Sequence, residues 1–194
     1  MSVQPLDEIF AGHAGPWTED DWLALPESMG RVELLDGALI VSPFPGGPHQ
    51  RLVRNLVDAL RHAARNQFEV FGGLNVRVSP GRIMIPDIAV ISPPGLDATI
   101  YDARNVVLAV EVTSPSNAWA DRSIKPGVYA RARIPHYLRI DLDRGVDHLA
   151  ATHYALASGG TYTVASQASG NDSLRLERPF RADLDLMALA TAIW

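Results

Sequence analysis

Hydrophobic and polar positions divide the chain into short strands and a few helices. Apolar residues recur at spacings of three and four from His49 onward, which predicts an amphipathic helix over 49–67. Before it, two strand-like runs at 31–35 and 38–41 flank an Asp36-Gly37 turn, a pattern typical of a β-hairpin. A short helix is expected after Thr18, because Thr18 and Asp21 have the spacing of a capping box.

The rest of the chain reads as strands with two further helical segments. We expect strands at 69–71, 75–78, 83–91, 106–112 and 137–142, a short helix at 126–132, an antiparallel meander at 146–176 and a helix-compatible segment at 182–193. This pattern predicts an α/β or α+β fold, with a mixed β-sheet flanked by helices and an additional antiparallel β-meander. The length favours a single domain, 1–194, with a core at about 18–143 and a β-rich extension at about 144–194.

Two of the predicted strands contain a carboxylate among buried apolar residues. Asp87 follows Pro86 within the run at 83–91, and Glu111 lies late in the run at 106–112. A buried carboxylate is costly unless a positive charge meets it. We therefore expect the two strands to be neighbours with a cation between Asp87 and Glu111, and oxygen ligands of this kind suit Mg²⁺ or Mn²⁺.

Lysine is almost absent from the sequence. Of the 17 lysine and arginine residues, only Lys125 is a lysine. A desolvated lysine is a compact charge with a pKa that shifts readily, so a single lysine close after Glu111 invites a chemical role. The alternative is that an arginine-rich composition left one lysine by chance.

Composition limits the functional classes. The formal net charge of −5 argues against sequence-independent nucleic-acid binding over the whole surface, but it allows a local basic groove. One face of the predicted helix at 49–67 carries a stripe of arginines with one aspartate among them: Arg51, Arg54, Asp58, Arg61 and Arg65. This stripe is either a solvated face with ion pairs or a phosphate-binding face, and we favour the solvated face. With no cysteine, no apolar run of about 20 residues and no signal-peptide pattern, we expect a cytoplasmic protein without membrane contact.

Several segments in a fixed order resemble a known family. They are Val32-Glu33-Leu34-Leu35-Asp36-Gly37, Pro48-His49-Gln50-Arg51, Ile85-Pro86-Asp87-Ile88-Ala89-Val90, Leu108-Ala109-Val110-Glu111-Val112-Thr113-Ser114-Pro115-Ser116 and Lys125-Pro126-Gly127-Val128-Tyr129-Ala130-Arg131-Ala132. They resemble the Uma-type restriction endonuclease family of the PD-(D/E)XK nuclease superfamily, over most of the chain. The resemblance implies a restriction-endonuclease-like core and an endonuclease that hydrolyses DNA with Mg²⁺ or Mn²⁺.

The resemblance also implies the metal ligands. Asp87 and Glu111 match the two acidic positions, and the backbone carbonyl of Val112 is expected as a third ligand. Glu33 resembles the additional acidic residue near the N-terminus of the superfamily, although it could instead pair with Arg31 or another arginine. A homodimer is expected, because two symmetric sites are the simplest way to cut both strands of a duplex.

One position departs from the superfamily pattern. Thr113 stands where the pattern places a lysine, and Lys125 is expected to replace it from just before the short helix, since Pro126 disfavours helical geometry in the residue before it. His49 and Arg122 are weaker candidates for nucleic-acid contact: His49 could simply be exposed or cap a helix, and Arg122 could form a loop ion pair with Asp121.

Two other functions stay open from the sequence. The same fold could serve as a non-catalytic module that binds nucleic acid or a protein. It could also be a metal-dependent phosphodiesterase that acts on RNA or nucleotides. A metal titration separates the first from an enzyme, and a comparison of substrates separates the second from a DNA endonuclease.

Overall fold

The structure is a computed structural model that describes residues 10, 12–26, 30–113, 124–142 and 149–191. Its helices in these ranges are α1 (Glu19–Leu23), α2 (Gly47–Ala64), α3 (Lys125–Arg131) and α4 (Leu186–Thr191). The capping box predicted for α1 is present. The Thr18 side chain accepts from the backbone N–H of Asp21, and the Asp21 side chain accepts from the backbone N–H of Thr18. No helix in the described part of the chain is long and apolar enough to cross a membrane.

A mixed sheet of six strands holds the core of the described residues. Its strands are β3 (Glu69–Gly72), β6 (Ile88–Ile91), β8 (Val106–Thr113), β9 (His136–Leu142), β10 (Leu149–Leu156) and β11 (Tyr162–Ser169), in the order β11-β10-β9-β8-β6-β3. Strands β8 and β9 are parallel, and the other neighbours are antiparallel. The expectation that the strands after Asp87 and through Glu111 are neighbours is confirmed, because Ile88 of β6 pairs with Val110 of β8.

Helices cover both faces of this sheet. Strand β6 alternates between them: Ile88 and Val90 join the core under α2, while Ala89 and Ile91 join the core under α3. Because both faces are buried, β6 is apolar at every position, which is why its sequence shows a continuous apolar run. The mixed sheet flanked by helices confirms the predicted fold class.

A second sheet has five strands, which all come from residues 31–102. Its strands are β1 (Arg31–Leu35), β2 (Ala38–Ser42), β4 (Val76–Ser79), β5 (Arg82–Met84) and β7 (Tyr101–Asp102), in the order β2-β1-β5-β4-β7. The predicted hairpin of β1 and β2 is confirmed, with Leu35 paired to Ala38 across the turn.

The single strand predicted at 83–91 is wrong. It is two strands in different sheets, β5 and β6, separated by Ile85, Pro86 and Asp87. Pro86 has no N–H group for a ladder hydrogen bond, so the run breaks there although its hydrophobicity does not. As a result, Asp87 lies at the junction of the two sheets.

The C-terminal part of the described chain differs from the predicted meander. Strands β10 and β11 form the expected antiparallel pair, but β12 (Ser173–Leu176) pairs with β13 (Ala182–Asp185) in a separate two-stranded sheet. The helix predicted at 182–193 therefore begins only at Leu186, as α4. The division of a single domain at about residue 143 stays a prediction, and β10 pairs directly with β9 of the predicted core.

Candidate active site

Asp87 is held by hydrogen bonds on both of its carboxylate oxygens. Its Oδ2 accepts from the backbone N–H of Val112 at 2.8 Å, where β6 has ended and offers β8 no ladder partner. Its Oδ1 accepts from the guanidinium of Arg31, which also donates to the carbonyl of Ile85. Burial alone would raise the pKa of Asp87, but the contact with His49 and the charge of Arg31 hold that pKa well below its ordinary value. Asp87 is therefore an ionised carboxylate.

Glu111 points from β8 toward α3 and is 1 % exposed. Its Oε1 accepts from Lys125 Nζ at 3.0 Å and from the Tyr129 hydroxyl at 2.6 Å. Burial raises the pKa of Tyr129 well above its usual value, and the charges of Glu111 and Glu33 raise it further, so this hydroxyl stays protonated and donates. Helix α3 thus supplies both a charge and a hydrogen bond to the Glu111 carboxylate.

Glu33 brings a third carboxylate from the five-stranded sheet. Its Oε1 accepts from the backbone N–H of Ile85 at 2.7 Å and lies 3.7 Å from Lys125 Nζ. Lys125 therefore sits between Glu33 of one sheet and Glu111 of the other, and its side chain is 8 % exposed. Lys125 is the first residue of α3 rather than the residue before it, which corrects the placement argued from Pro126.

His49 lies in the first turn of α2 and is buried against the same site. Its Nε2 is 3.1 Å from Asp87 Oδ2 and 3.1 Å from the carbonyl oxygen of Val112. Its Nδ1 is buried and has no hydrogen-bond partner in the described ranges. The structure thus places His49 beside two predicted metal ligands. Arg122, the other residue predicted to contact nucleic acid, lies outside the described residues, as does Asp121.

Arg31 and Tyr129 also belong to the site, and the sequence analysis gave neither of them a role there. Burial alone would lower the pKa of Arg31, but Asp87 and Glu111 raise it above its ordinary value, so it stays charged. One signal was available for each residue. Arg31 is two residues before Glu33 on one strand, and Tyr129 is four residues after Lys125 on one helix, so each pair shares a face.

The donor set fits a hard divalent cation. Asp87 Oδ2 and the carbonyl oxygen of Val112 each lie 3.1 Å from His49 Nε2, so both oxygens line the same part of the site. Carboxylate and carbonyl oxygens are the ligands that Mg²⁺ and Mn²⁺ prefer. No three His, Asp or Glu side chains of the described residues are grouped closely enough to hold a metal by themselves, so a site here needs the Val112 backbone carbonyl.

Comparison with known proteins identifies the family. A model of the Uma2 family, described as "Putative restriction endonuclease", matches residues 19–190. The chain belongs to the Uma2 family. The Uma2 match confirms the resemblance drawn from the sequence motifs and spans both halves of the predicted division.

One solved structure has a fold similar to that of this Uma2 chain. It is a protein of Anabaena variabilis described as a "putative nuclease belonging to DUF820", with a TM-score of 0.70 and 18 % sequence identity. The alignment covers 92 % of this Uma2 chain and 100 % of that one. At this identity the likeness shows the fold. No curated protein matches the sequence.

Proposed function

We propose that the protein is an endonuclease that hydrolyses DNA phosphodiester bonds with the help of Mg²⁺ or Mn²⁺. The Uma2 family description and the nuclease-like fold neighbour support this class of activity. The observation that carries the proposal is the buried cluster at the junction of the two sheets. In it, Asp87 is bonded to the backbone of Val112, and the preceding residue, Glu111, contacts the only lysine of the chain.

Asp87, Glu111 and the carbonyl of Val112 would hold the metal ion, and Glu33 would support it from the opposite sheet. His49 Nε2 lies between Asp87 Oδ2 and the Val112 carbonyl, both of which accept hydrogen bonds, and would hold these two oxygens in place for the ion. A divalent cation in such a site lowers the pKa of a water molecule and neutralises charge on a phosphoryl oxygen.

Lys125 would assist the reaction. Its ammonium group lies between Glu33 and Glu111, and it can orient a water molecule or offset the charge that develops on phosphorus. Thr113, at the position where the superfamily has its lysine, is buried and its Oγ1 has no hydrogen-bond partner in the described part of the chain. Helix α3 therefore supplies the charge that strand β8 lacks.

A non-catalytic nucleic-acid-binding module is the second candidate. One observation favours it: Asp87 is paired with Arg31, and Glu111 with Lys125, so the cluster has internal counter-charges without a metal ion.

A homodimer would place two sites on a duplex and is part of the endonuclease proposal.

Cleavage of supercoiled plasmid tests the endonuclease against this alternative. Wild type is incubated with Mg²⁺ or Mn²⁺ beside Asp87→Ala, Lys125→Ala and a matched control, Arg131→Ala, which removes an exposed charge of α3. The proposal expects cleavage by wild type and the control and its loss in both site variants. Absence of metal-dependent cleavage of plasmid DNA, with RNA and nucleotides also intact, would contradict it and favour the binding module. Cleavage of RNA or nucleotides alone would instead identify the phosphodiesterase.

A further inference from the structure

A groove runs from Asp87 along one face of α2. It encloses about 410 Å³, and its inner end is formed by Arg31, His49 and Asp87. The proposed metal site uses only this inner end. The outer part of the groove is therefore open to a second role beside the reacting phosphate.

Part of the groove lining is apolar. Val53 and Val57 of α2 form one wall, and Gly72 and Gly73 at the end of β3 form the other. A β-carbon on Gly72 would stand 3.8 Å from Val53 Cγ1 and 3.9 Å from both Val57 Cγ2 and the carbonyl oxygen of Asp87. A side chain at position 72 would therefore lie over Val53 and Val57, in the slot between α2 and β3.

Arginine side chains line the same groove. Arg54 is exposed, and Arg61 donates from Nε and Nη2 to the carbonyl of Val70 at 3.2 and 2.9 Å, which fixes its guanidinium beside β3. With Arg31 they give the groove three guanidinium groups against the carboxylates of Asp58 and Asp87. This excess of arginine over acid stands out in a chain of net charge −5, and guanidinium groups match phosphate geometry.

We propose that the groove binds one unpaired nucleotide next to the phosphate that reacts at Asp87. The apolar side chains of Val53 and Val57 suit the face of a base, and the arginines suit its phosphate. The volume lies near the lower end of the range of about 300–1,000 Å³ for small-ligand pockets, which suits one nucleotide with its base unpaired. The substrate class is therefore a single strand, or a duplex from which a nucleotide is frayed or extruded.

This inference rests on the proposed function, because the groove is defined by the reacting phosphate at its inner end. Its test nevertheless measures binding alone. A fluorescently labelled single strand of about 10 nucleotides is titrated in EDTA at low salt, so that no cleavage occurs, and its anisotropy is followed. A blunt duplex of the same sequence serves as an unlabelled competitor.

Gly72→Leu is the variant that fills the slot. Gly72 has no left-handed φ, so a side chain there introduces no backbone strain. Gly159→Leu is the matched control, since Gly159 also lacks a left-handed φ and has open space around its β-carbon position. The expected result is a loss of about tenfold or more in single-strand affinity for Gly72→Leu and less than about twofold for the control, where tenfold corresponds to about 1.4 kcal/mol.

Arg54→Gln gives a second measurement that carries little risk to folding, because Arg54 is exposed on a helix. It should lower single-strand affinity and reduce the slope of log K against log salt by about 0.7, the value for one phosphate contact on a single strand. Arg175→Gln, an exposed arginine of β12 outside the groove, should change neither.

Competition by the blunt duplex distinguishes a single-stranded substrate from a double-stranded one. The inference expects the blunt duplex to compete at least about tenfold more weakly than the unlabelled single strand. Equal competition, or single-strand binding that ignores both Gly72→Leu and Arg54→Gln, would overturn it. If the variants change binding as expected while plasmid, RNA and nucleotides stay uncut with Mg²⁺ and Mn²⁺, nucleotide binding in the groove is supported and the proposed hydrolysis is refuted. If cleavage occurs but the variants do not change binding, the hydrolysis is supported and nucleotide binding in the groove is refuted.

Discussion

Replacing Lys125 by methionine removes a buried positive charge while keeping most of the aliphatic volume of the side chain. The Lys125 ammonium lies 3.0 Å from Glu111 Oε1 and 3.7 Å from Glu33 Oε1, and the three side chains are at most 8 % exposed. At an effective dielectric constant of about 20, the closer pair attracts by about 5–6 kcal/mol. Desolvation of both charges offsets much of this, but removing one partner leaves the other charge buried and uncompensated.

The free energy of unfolding should therefore fall by about 3–5 kcal/mol in Lys125→Met. Tyr129 continues to donate to Glu111, so the lower part of this range is expected. The assay is equilibrium unfolding in urea at pH 7 with EDTA present. Arg131→Met on the same helix is the control, because Arg131 is exposed and its loss should cost less than about 0.5 kcal/mol.

A double-mutant cycle with Glu111→Gln isolates the pair. If Lys125 and Glu111 interact as the distance indicates, the double variant should be more stable than the sum of the single effects by about 2 kcal/mol. Effects that simply add, or a Lys125→Met variant within about 0.5 kcal/mol of wild type, would refute the reasoning. The lysine would then be a surface-like charge with no part in the cluster.

Three further outcomes follow from the same contacts. Tyr129→Phe removes a 2.6 Å hydrogen bond to an ionised carboxylate and should lower the free energy of unfolding by about 1.5–3 kcal/mol in urea; an unchanged midpoint would show that the hydroxyl is dispensable. Mn²⁺ should raise the melting temperature of Lys125→Met more than that of wild type, since the ion replaces the missing charge, and equal shifts would argue against a shared site. Burial and the adjacent His136 lower the pKa of His153 to about 4, below its usual value near 6.5. Because the fold favours neutral His153, stability should fall as the pH drops from about 6.5 toward 4. Wild type should lose about 2 kcal/mol more than His153→Gln between pH 7.5 and pH 5, and parallel urea curves for the two proteins would contradict this.

Much of the fold was predictable from local patterns in the sequence. The helix containing His49 and the hairpin around Asp36-Gly37 were predictable because period and turn chemistry are local properties. The same holds for Asp87 and Glu111, because a charged residue in a buried apolar run is conspicuous wherever its strand lies. That these two residues share a cation stays a prediction; in the structure, Arg31 lies beside Asp87 and Lys125 beside Glu111.

The remainder depends on contacts between distant segments. The sequence places Arg31 on the same strand face as Glu33, but it does not indicate the contact with Asp87, which lies 56 residues away. His49 reaches Val112 over 63 residues, and this contact exists only because α2 packs across the sheet. The strand at Ala182–Asp185 was missed for the same reason, since its pairing with β12 overrides a helix-compatible sequence.

The central claim is that the junction of the two sheets binds a catalytic divalent ion, and anomalous scattering from Mn²⁺ in crystals of the protein tests it most directly. The account predicts a manganese peak at bonding distance, about 2.2 Å, from Asp87 Oδ2, the Val112 carbonyl oxygen and the Glu111 carboxylate. It also predicts that the peak disappears in Asp87→Asn. A map with no manganese at Asp87, at a concentration of Mn²⁺ that supports plasmid cleavage, would contradict the account.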